Sequence, residues 1–176
     1  FAELKRATHH IHILFYIVKN DQISTEFLTI LKEKARDGVE VRLLLDRIGS
    51  FRIKRKTIQS LKNCGITFAF AQKPKLPFLF YTSQVRNHQK ITVIDGKVGY
   101  IGGYNVGKEY IDLDPKLSPW RDYHLKIIGE GVNDLQTEFL TNWYEETAAD
   151  LLQKEIYFPN NTLSGESQHQ IISTKG

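Results

Sequence analysis

The sequence predicts an α/β fold: a mixed, largely parallel β-sheet flanked by helices, with a β-hairpin that carries the chemistry. Three observations lead there. Short β-rich runs alternate with helical periodicity as far as Ala71, so strands and helices take turns along the chain. The run VEVRLLLD, Val39 to Asp46, has almost no polar alternation, as a strand covered on both faces requires. The dipeptide Asp95-Gly96 separates two apolar runs, a strong short-range hairpin signal.

The elements follow in order. The opening FAELKRATHH reads as the last turns of a helix, and with no methionine in the chain a piece of a longer protein is expected. Ile11 to Val18 suits a strand. Ser24 is then the expected cap of a helix whose apolar positions Phe27, Leu28, Leu31 and Ala35 recur at helical spacing until Gly38. With Val39 to Asp46 as the next strand the unit is β-α-β. A second helix fits Lys54 to Asn63, ended by Gly65, before a strand from Ile66 to Ala71. Gln72 to Gln84 is a Pro-rich apolar loop. Arg121 to Ile128 reads as a strand, and Val132 to Leu152 as a helix with Val132, Leu135, Phe139 and Trp143 on one face. Residues 1–152 are expected to form one domain, and the polar residues 153–176 a linker and the start of a further unit.

Composition fits one core. The 176 residues are 41% hydrophobic and 25% charged, with 24 Lys and Arg against 20 acidic residues, a net +4 and a pI near 9.1. That balance permits anionic partners without demanding a nucleic-acid surface. A single cysteine, Cys64, excludes an internal disulfide framework. The longest apolar run, Ile11 to Val18, is far short of the ~20 residues a membrane span needs.

The chemistry gathers in RNHQKITVIDGKVGYIGGYNVG, residues 86–107. A two-residue turn at Asp95-Gly96 would set Ile94 against Lys97, Thr92 against Gly99, Lys90 against Ile101 and His88 against Gly103. Strand alternation then places His88, Lys90 and Thr92 on one face, beside Gly99 and Gly103, with Asn105 just beyond. A lysine and an imidazole next to glycines make a pocket suited to an anionic group such as phosphate. Asn105 adds an amide donor, and a helical turn around Val106 to Tyr110 would add backbone N–H groups. Asp95 lies in the turn with opposite parity, which gives it a supporting place.

The order His88, Lys90, Asp95, Gly102, Gly103, Asn105 resembles the HKD signature of the phospholipase D superfamily. HHIHILFYIV, VEVRLLLDRIGS, WRDYHLKIIGEGV and the helix ending FLTNWY extend the likeness to the first catalytic half of bacterial cardiolipin synthases, over nearly all of residues 1–150. The fold this implies is a phospholipase D-like half. The activity it implies is phosphatidyl transfer between two phosphatidylglycerol molecules, giving cardiolipin and glycerol, with no metal and no cofactor.

By that resemblance one histidine attacks the phosphorus to form a phosphohistidine while a second protonates the leaving group. His88 matches one of the two, and imidazole suits the work because its unperturbed pKa of about 6.5 leaves a neutral nucleophile available. Lys90, Gly103 and Asn105 would hold the substrate phosphate. The Asp122 carboxylate is the candidate to hold the other nitrogen of the imidazole, and Asp95 completes the implied catalytic set. Only one such motif is present, since no Asp, Gly-Gly or Asn follows His124 and Lys126 at the right spacing. The second half of the site is therefore expected from the same longer chain or from a dimer partner. The resemblance also implies a bacterial cytoplasmic membrane location for the full-length protein, this segment itself being soluble, and no nucleic-acid partner. The same histidine chemistry serves other phospholipases D and nucleases, and a non-catalytic phosphodiester-binding module is the alternative of another class.

Three features lie outside the motif. His9, His10 and His12 look like metal ligands, but no further ligand follows at a recognised spacing. The basic run FRIKRK, with Lys73 and Lys75, suits anionic lipid head groups, a nucleic-acid backbone or a solvated helix start. LPFLFYT, Leu76 to Thr82, suits a bilayer surface, a core or a covered interface.

Overall fold

A computed structural model describes residues 1–72 and 86–161. The expected loop from Gln72 to Gln84 and the lysines and apolar run within it therefore lie almost wholly outside the described residues, as does the tail beyond Asn161.

The elements run α1 (Ala2–Arg6), β1 (His10–Phe15), α2 (Gln22–Arg36), β2 (Glu40–Asp46), α3 (Arg55–Asn63), β3 (Thr67–Ala71), β4 (Ile91–Ile94), β5 (Val98–Gly102), β6 (His124–Ile128) and α4 (Gly131–Thr147). Short 3-10 turns sit at Lys108–Ile111 and Glu155–Tyr157. The strands form a single six-stranded sheet in the order β3-β2-β1-β4-β5-β6. Mixed pairing flanked by helices is as the sequence predicts, although the parallel share is smaller. β1 with β2 and β2 with β3 are parallel, whereas β1 with β4, β4 with β5 and β5 with β6 are antiparallel. The hairpin joins the sheet by running back along β1, and each later strand reverses in turn.

Alternation along β1 divides the core. Ile11, Ile13 and Phe15 face α1, α2 and α3 together with Val41, Leu43 and Leu45 of β2. Leu14, Leu44, Ile91 and Val93 face α4, where Val132, Leu135, Phe139, Leu140 and Trp143 make one buried stripe. His10 and His12 also point to the α4 side and are fully buried. Gln136 bridges them, its Oε1 3.2 Å from His10 Nε2 and its Nε2 2.8 Å from His12 Nδ1. Burial pushes both imidazoles down to about 3, so each is neutral and satisfied within the core. These histidines are packing residues.

α2 begins one turn earlier than the sequence suggests. Asp21 is the cap, its Oδ1 accepting from Ser24 N at 2.8 Å, while Ser24 is buried and donates its hydroxyl to Val106 O at 3.1 Å. A capping oxygen serves an N–H two or three residues further on, and here the Asp21 carboxylate takes that of Ser24. The first strand is also shorter than expected, because β1 ends at Phe15 and Ile17 and Val18 turn toward residues 105–106 instead. α4 stops at Thr147 rather than Leu152, with Ala148 in the left-handed region. Tyr157, expected in a polar linker, is buried: its hydroxyl donates to Glu40 at 2.6 Å and accepts from Arg42 at 3.1 Å.

Candidate active site

The three parallel strands end at Phe15, Asp46 and Ala71, and residues 86–90, just before β4, lie against Asp46 and against Tyr16 at the ends of β2 and β1. Ligands favour this edge of an open α/β sheet, because loops converge there. Residues 86–90 belong to no strand, so His88 and Lys90 stand just before β4 and not within it.

The hairpin differs in register from the expectation. Asp95 and Gly96 both take positive φ, 55° and 64°, and Lys97 N donates to Ile94 O at 3.0 Å, as the expected turn requires. Pairing, however, joins Ile94 to Val98, Val93 to Gly99, Thr92 to Tyr100 and Ile91 to Ile101. Lys97 is an extra residue in the connection, and a shift of one changes each facing pair. Gly99 thus packs under α4, where an added Cβ would lie 2.6 Å from Leu135 Cδ1, and it takes no part in the pocket.

His88 is exposed, its ring edge-on to Tyr16 with centroids 4.3 Å apart. Lys90 is half-buried, its Nζ 5.6 Å from the centroid of the same Tyr16 ring and 2.5 Å from His88 O. Burial pushes the Lys90 ammonium down, and the Asp122 carboxylate partly offsets this. Tyr16 therefore joins the two motif residues, although nothing in its sequence spacing singles it out.

Asn105 reaches the same place from beyond the end of β5. Its Oδ1 accepts from Ile17 N at 2.9 Å, one residue beyond Tyr16, and its Nδ2 donates to Tyr110 Oη at 3.0 Å. The adjoining backbone is closed by Val106 N to Ile17 O at 3.2 Å and Lys19 N to Val106 O at 3.0 Å. Among the described residues one amide hydrogen of Asn105 remains for a ligand. The expected helical turn is the 3-10 turn Lys108–Ile111.

The glycine pair is required by close approach. A Cβ on Gly102 would sit 2.3 Å from Tyr123 O, and one on Gly103 would sit 2.0 Å from Asp122 Oδ1. Gly103 N donates to Tyr123 O at 2.8 Å, so the segment just before β6, which carries Asp122, lies directly on the pair, and the expected strand from Arg121 starts only at His124. Asp122 is exposed, accepts from Tyr123 N at 2.8 Å, and contacts Gly103 rather than His88 among the described residues. His124 is close by, stacked on Tyr104 with centroids 5.6 Å apart. Its imidazole is pushed down by burial against the pull of Asp122. An apolar cleft of about 210 Å³ opens beside Asn105 and His124, walled by Phe15, Phe27, Ile94 and Tyr100.

Asp95 lies at the opposite end of β4. Its Oδ1 accepts from His9 N at 2.8 Å and His10 N at 3.0 Å, and its Oδ2 from Thr8 N at 2.8 Å and Thr8 Oγ1 at 2.9 Å. Partial burial works against the charge, yet these donors hold the carboxyl below its ordinary range. Asp95 fixes the start of β1 to the hairpin and touches none of His88, Lys90 or Asn105.

A second set holds the His88 segment, and the sequence alone does not single it out. Asp46, fully buried at the end of β2, accepts through Oδ2 from Asn87 N at 3.2 Å and through Oδ1 from Ile48 N and Gly49 N at 2.9 and 2.7 Å. Asn87 Nδ2 donates to Asn142 Oδ1 at 2.6 Å, and Gln89 Nε2 donates to Glu138 Oε1 at 2.6 Å. Glu138 and Asn142 are one turn apart on α4. Both neighbours of His88 are thus tied to one helix face.

Known proteins resemble this chain in sequence and in fold. Residues 1–116 match the family described as cardiolipin synthase, PLD-like domain. The chain is 42% identical over 174 residues to the minor cardiolipin synthase ClsB of Bacillus subtilis, covering 99% of this chain and 43% of that protein. It is 46% identical over 159 residues to a cardiolipin synthase of a Geobacillus species, covering 90% of this chain and 32% of that protein. The chain therefore spans between about a third and two-fifths of these relatives' length. Among solved structures, NucT from Helicobacter pylori superposes with a TM-score of 0.61 at 15% identity, over 82% of this chain and 85% of that one. A phosphatidylserine synthase of Haemophilus influenzae gives 0.58 at 16% identity, over 92% and 36%. The fold is shared at that distance, and with the family match and the curated relatives it places this chain in the cardiolipin synthase family, as a PLD-like domain.

Proposed function

We propose that this chain supplies one half of an active site that transfers a phosphatidyl group between two phosphatidylglycerol molecules, yielding cardiolipin and glycerol. The observation that carries the reading is the convergence of His88, Lys90 and Asn105 at the carboxyl edge of β1, with His88 and Lys90 meeting at Tyr16 and Asn105 tied to Ile17. The relatives named cardiolipin synthase support the choice of reaction.

His88 is one of two imidazoles in the scheme, the other coming from a second HKD half in the same longer chain or in a dimer. One imidazole nitrogen attacks the phosphorus of the first phosphatidylglycerol, and the bond to the glycerol oxygen breaks as the other imidazole gives that oxygen a proton. The hydroxyl of the second phosphatidylglycerol then attacks the phosphohistidine and loses its proton to the group that acted as acid, freeing the histidine. Lys90, the free Asn105 hydrogen and the open surface at Gly103 hold the nonbridging oxygens, where negative charge gathers as the phosphorus becomes five-coordinate. Asp122 serves as the carboxylate that orients the imidazole once substrate and the second half close over the exposed site. No metal or cofactor enters the scheme. The exposure of His88 in this half supports a site completed from outside the chain.

The longer protein would work at the bacterial cytoplasmic membrane. Among the described residues no helix is long and apolar enough to cross a membrane. The test is product identity. Vesicles of labelled phosphatidylglycerol incubated with the longer protein should give cardiolipin and glycerol in equal amounts by mass spectrometry. Phosphatidic acid in place of cardiolipin would make the enzyme a hydrolase.

A further inference from the structure

From Arg47 to Ile94 the chain carries ten Lys and Arg and no Asp or Glu. The rest of the chain is therefore acidic overall, although the whole is +4. Within this span the loop between β2 and α3, and the first turn of α3, expose Arg47, Arg52, Lys54, Arg55 and Lys56. None of these five is ion-paired with a carboxylate among the described residues. The same loop presents two apolar side chains to solvent, Phe51 at 67% exposure and Ile48 at 37%. Arg52 lies against the Phe51 ring, 5.3 Å from its centroid. Apolar tips among unpaired cations are the composition of an interfacial contact, where aromatic side chains enter the head-group region and cations meet lipid phosphates.

Position adds to composition. Ser50 Oγ donates to Tyr16 O at 3.0 Å, and a Cβ on Gly49 would lie 2.3 Å from the same oxygen, so the loop is seated on the residue whose ring touches His88. Asp46 holds both this loop, through Ile48 N and Gly49 N, and the His88 segment, through Asn87 N. Behind the loop a groove of about 300 Å³ between α2 and α3 is lined by Lys19, Lys32, Lys54, Lys56, Thr57 and Ser60.

We propose that the β2–α3 loop and the start of α3 form a docking surface for an anionic lipid bilayer, with Phe51 and Ile48 entering the head-group layer and Arg52, Arg55 and Lys56 meeting lipid phosphates. The surface delivers the mouth of the site to its substrate. The choice of lipid rests on the phosphatidyl-transfer reading, but docking is a separate property of this rim.

The experiment is co-sedimentation of the 176-residue chain with vesicles of phosphatidylglycerol and phosphatidylcholine, and with vesicles of phosphatidylcholine alone. The chain should pellet with the anionic vesicles and not with the neutral ones, and the bound fraction should fall as salt rises. Arg52→Ala with Arg55→Ala should lower the partition coefficient by about tenfold or more, given roughly fivefold per cation at an anionic surface. Phe51→Ala should lower it several-fold without changing the salt dependence. Lys5→Ala with Arg36→Ala removes the same charge from the opposite end of the sheet and should leave binding within about twofold. Equal losses from the two double variants, equal binding to neutral vesicles, no binding to either, or tighter binding to duplex DNA than to anionic vesicles would each overturn the proposal. Binding is read without turnover. Docking that holds while no cardiolipin forms would discard the transfer reading alone, whereas Arg52/Arg55 variants that bind vesicles like the unaltered chain would discard the docking surface alone.

Discussion

Asn142, in the middle of α4, accepts a 2.6 Å hydrogen bond from Asn87, the residue immediately before His88. One turn earlier Glu138 accepts another, also 2.6 Å, from Gln89, the residue immediately after. His88 projects from a segment clamped on both sides, with its own ring left exposed.

Loosening that clamp should harm turnover more than folding. Asn142→Ala removes the anchor of Asn87, and a displacement of the imidazole by about 1 Å costs on the order of a hundredfold in rate. The expected result in the longer protein is a large fall in kcat, a small change in KM and a melting temperature within a few degrees. Asn142→Asp combined with Glu138→Gln keeps an acceptor for Asn87 and one for Gln89 without setting two carboxylates together, and should recover part of the rate. Equal losses in both variants would mean the helix contact does not set the position of His88.

Asp95 is expected to act in the opposite sense. Asp95→Asn leaves the donors of Thr8, His9 and His10 facing an amide in place of a carboxylate. Loss of such charge-assisted bonds should cost about 1–3 kcal/mol of stability. Because the carboxyl is held below its ordinary range, its contribution is present above the unfolded value and lost as pH falls through the depressed one. Denaturant titrations at neutral pH should show the loss, and a variant that is fully stable but inactive would place Asp95 in the chemistry instead.

The glycine next to Asp122 gives a steric prediction. Gly103→Ala would put a methyl 2.0 Å from Asp122 Oδ1. Backbone or carboxylate must move, at a cost of about 1–3 kcal/mol typical of overpacking. Activity should be lost with it, and Gly103→Ala combined with Asp122→Gly should regain stability without regaining turnover. Full stability in the single variant would show that the approach is looser than described.

His10 and His12 set an acid limit. Both are held neutral at about 3, while unfolded imidazoles titrate near their ordinary value, so the unfolded state binds more protons between the two. Stability is therefore complete above the ordinary histidine range and falls as pH drops toward 3, by up to ~1.4 kcal/mol per pH unit for each histidine. Chemical denaturation at pH 7 and pH 5 measures this. A His10→Gln, His12→Leu variant that still folds should show a shallower slope.

Much of this was legible in the residues, and the limits have physical causes. The strands, helices and hairpin turn follow from periodicity and from Asp95-Gly96, and the motif names His88, Lys90 and Asn105 by spacing. Register did not follow, because one extra residue, Lys97, changes every pairing while leaving the turn itself unaltered. Tyr16, Asp46, Glu138 and Asn142 reach the site only through tertiary packing, with no spacing to mark them. Glu138 and Asn142 do carry a weak sign, as polar residues four apart on a helix whose neighbouring face is apolar. The three histidines looked like ligands because the role of two of them, His10 and His12, depends on Gln136, which is distant in sequence and adjacent in space.

The central claim is that His88 performs covalent or acid-base work on a phospholipid phosphodiester. The most direct measurement compares the longer protein with its His88→Ala variant on vesicles of labelled phosphatidylglycerol, following cardiolipin by mass spectrometry. The account predicts cardiolipin from the unaltered protein and a fall of at least about a thousandfold in the variant, in line with loss of a nucleophile or general acid. Cardiolipin formation by the variant within tenfold of the unaltered rate would contradict it.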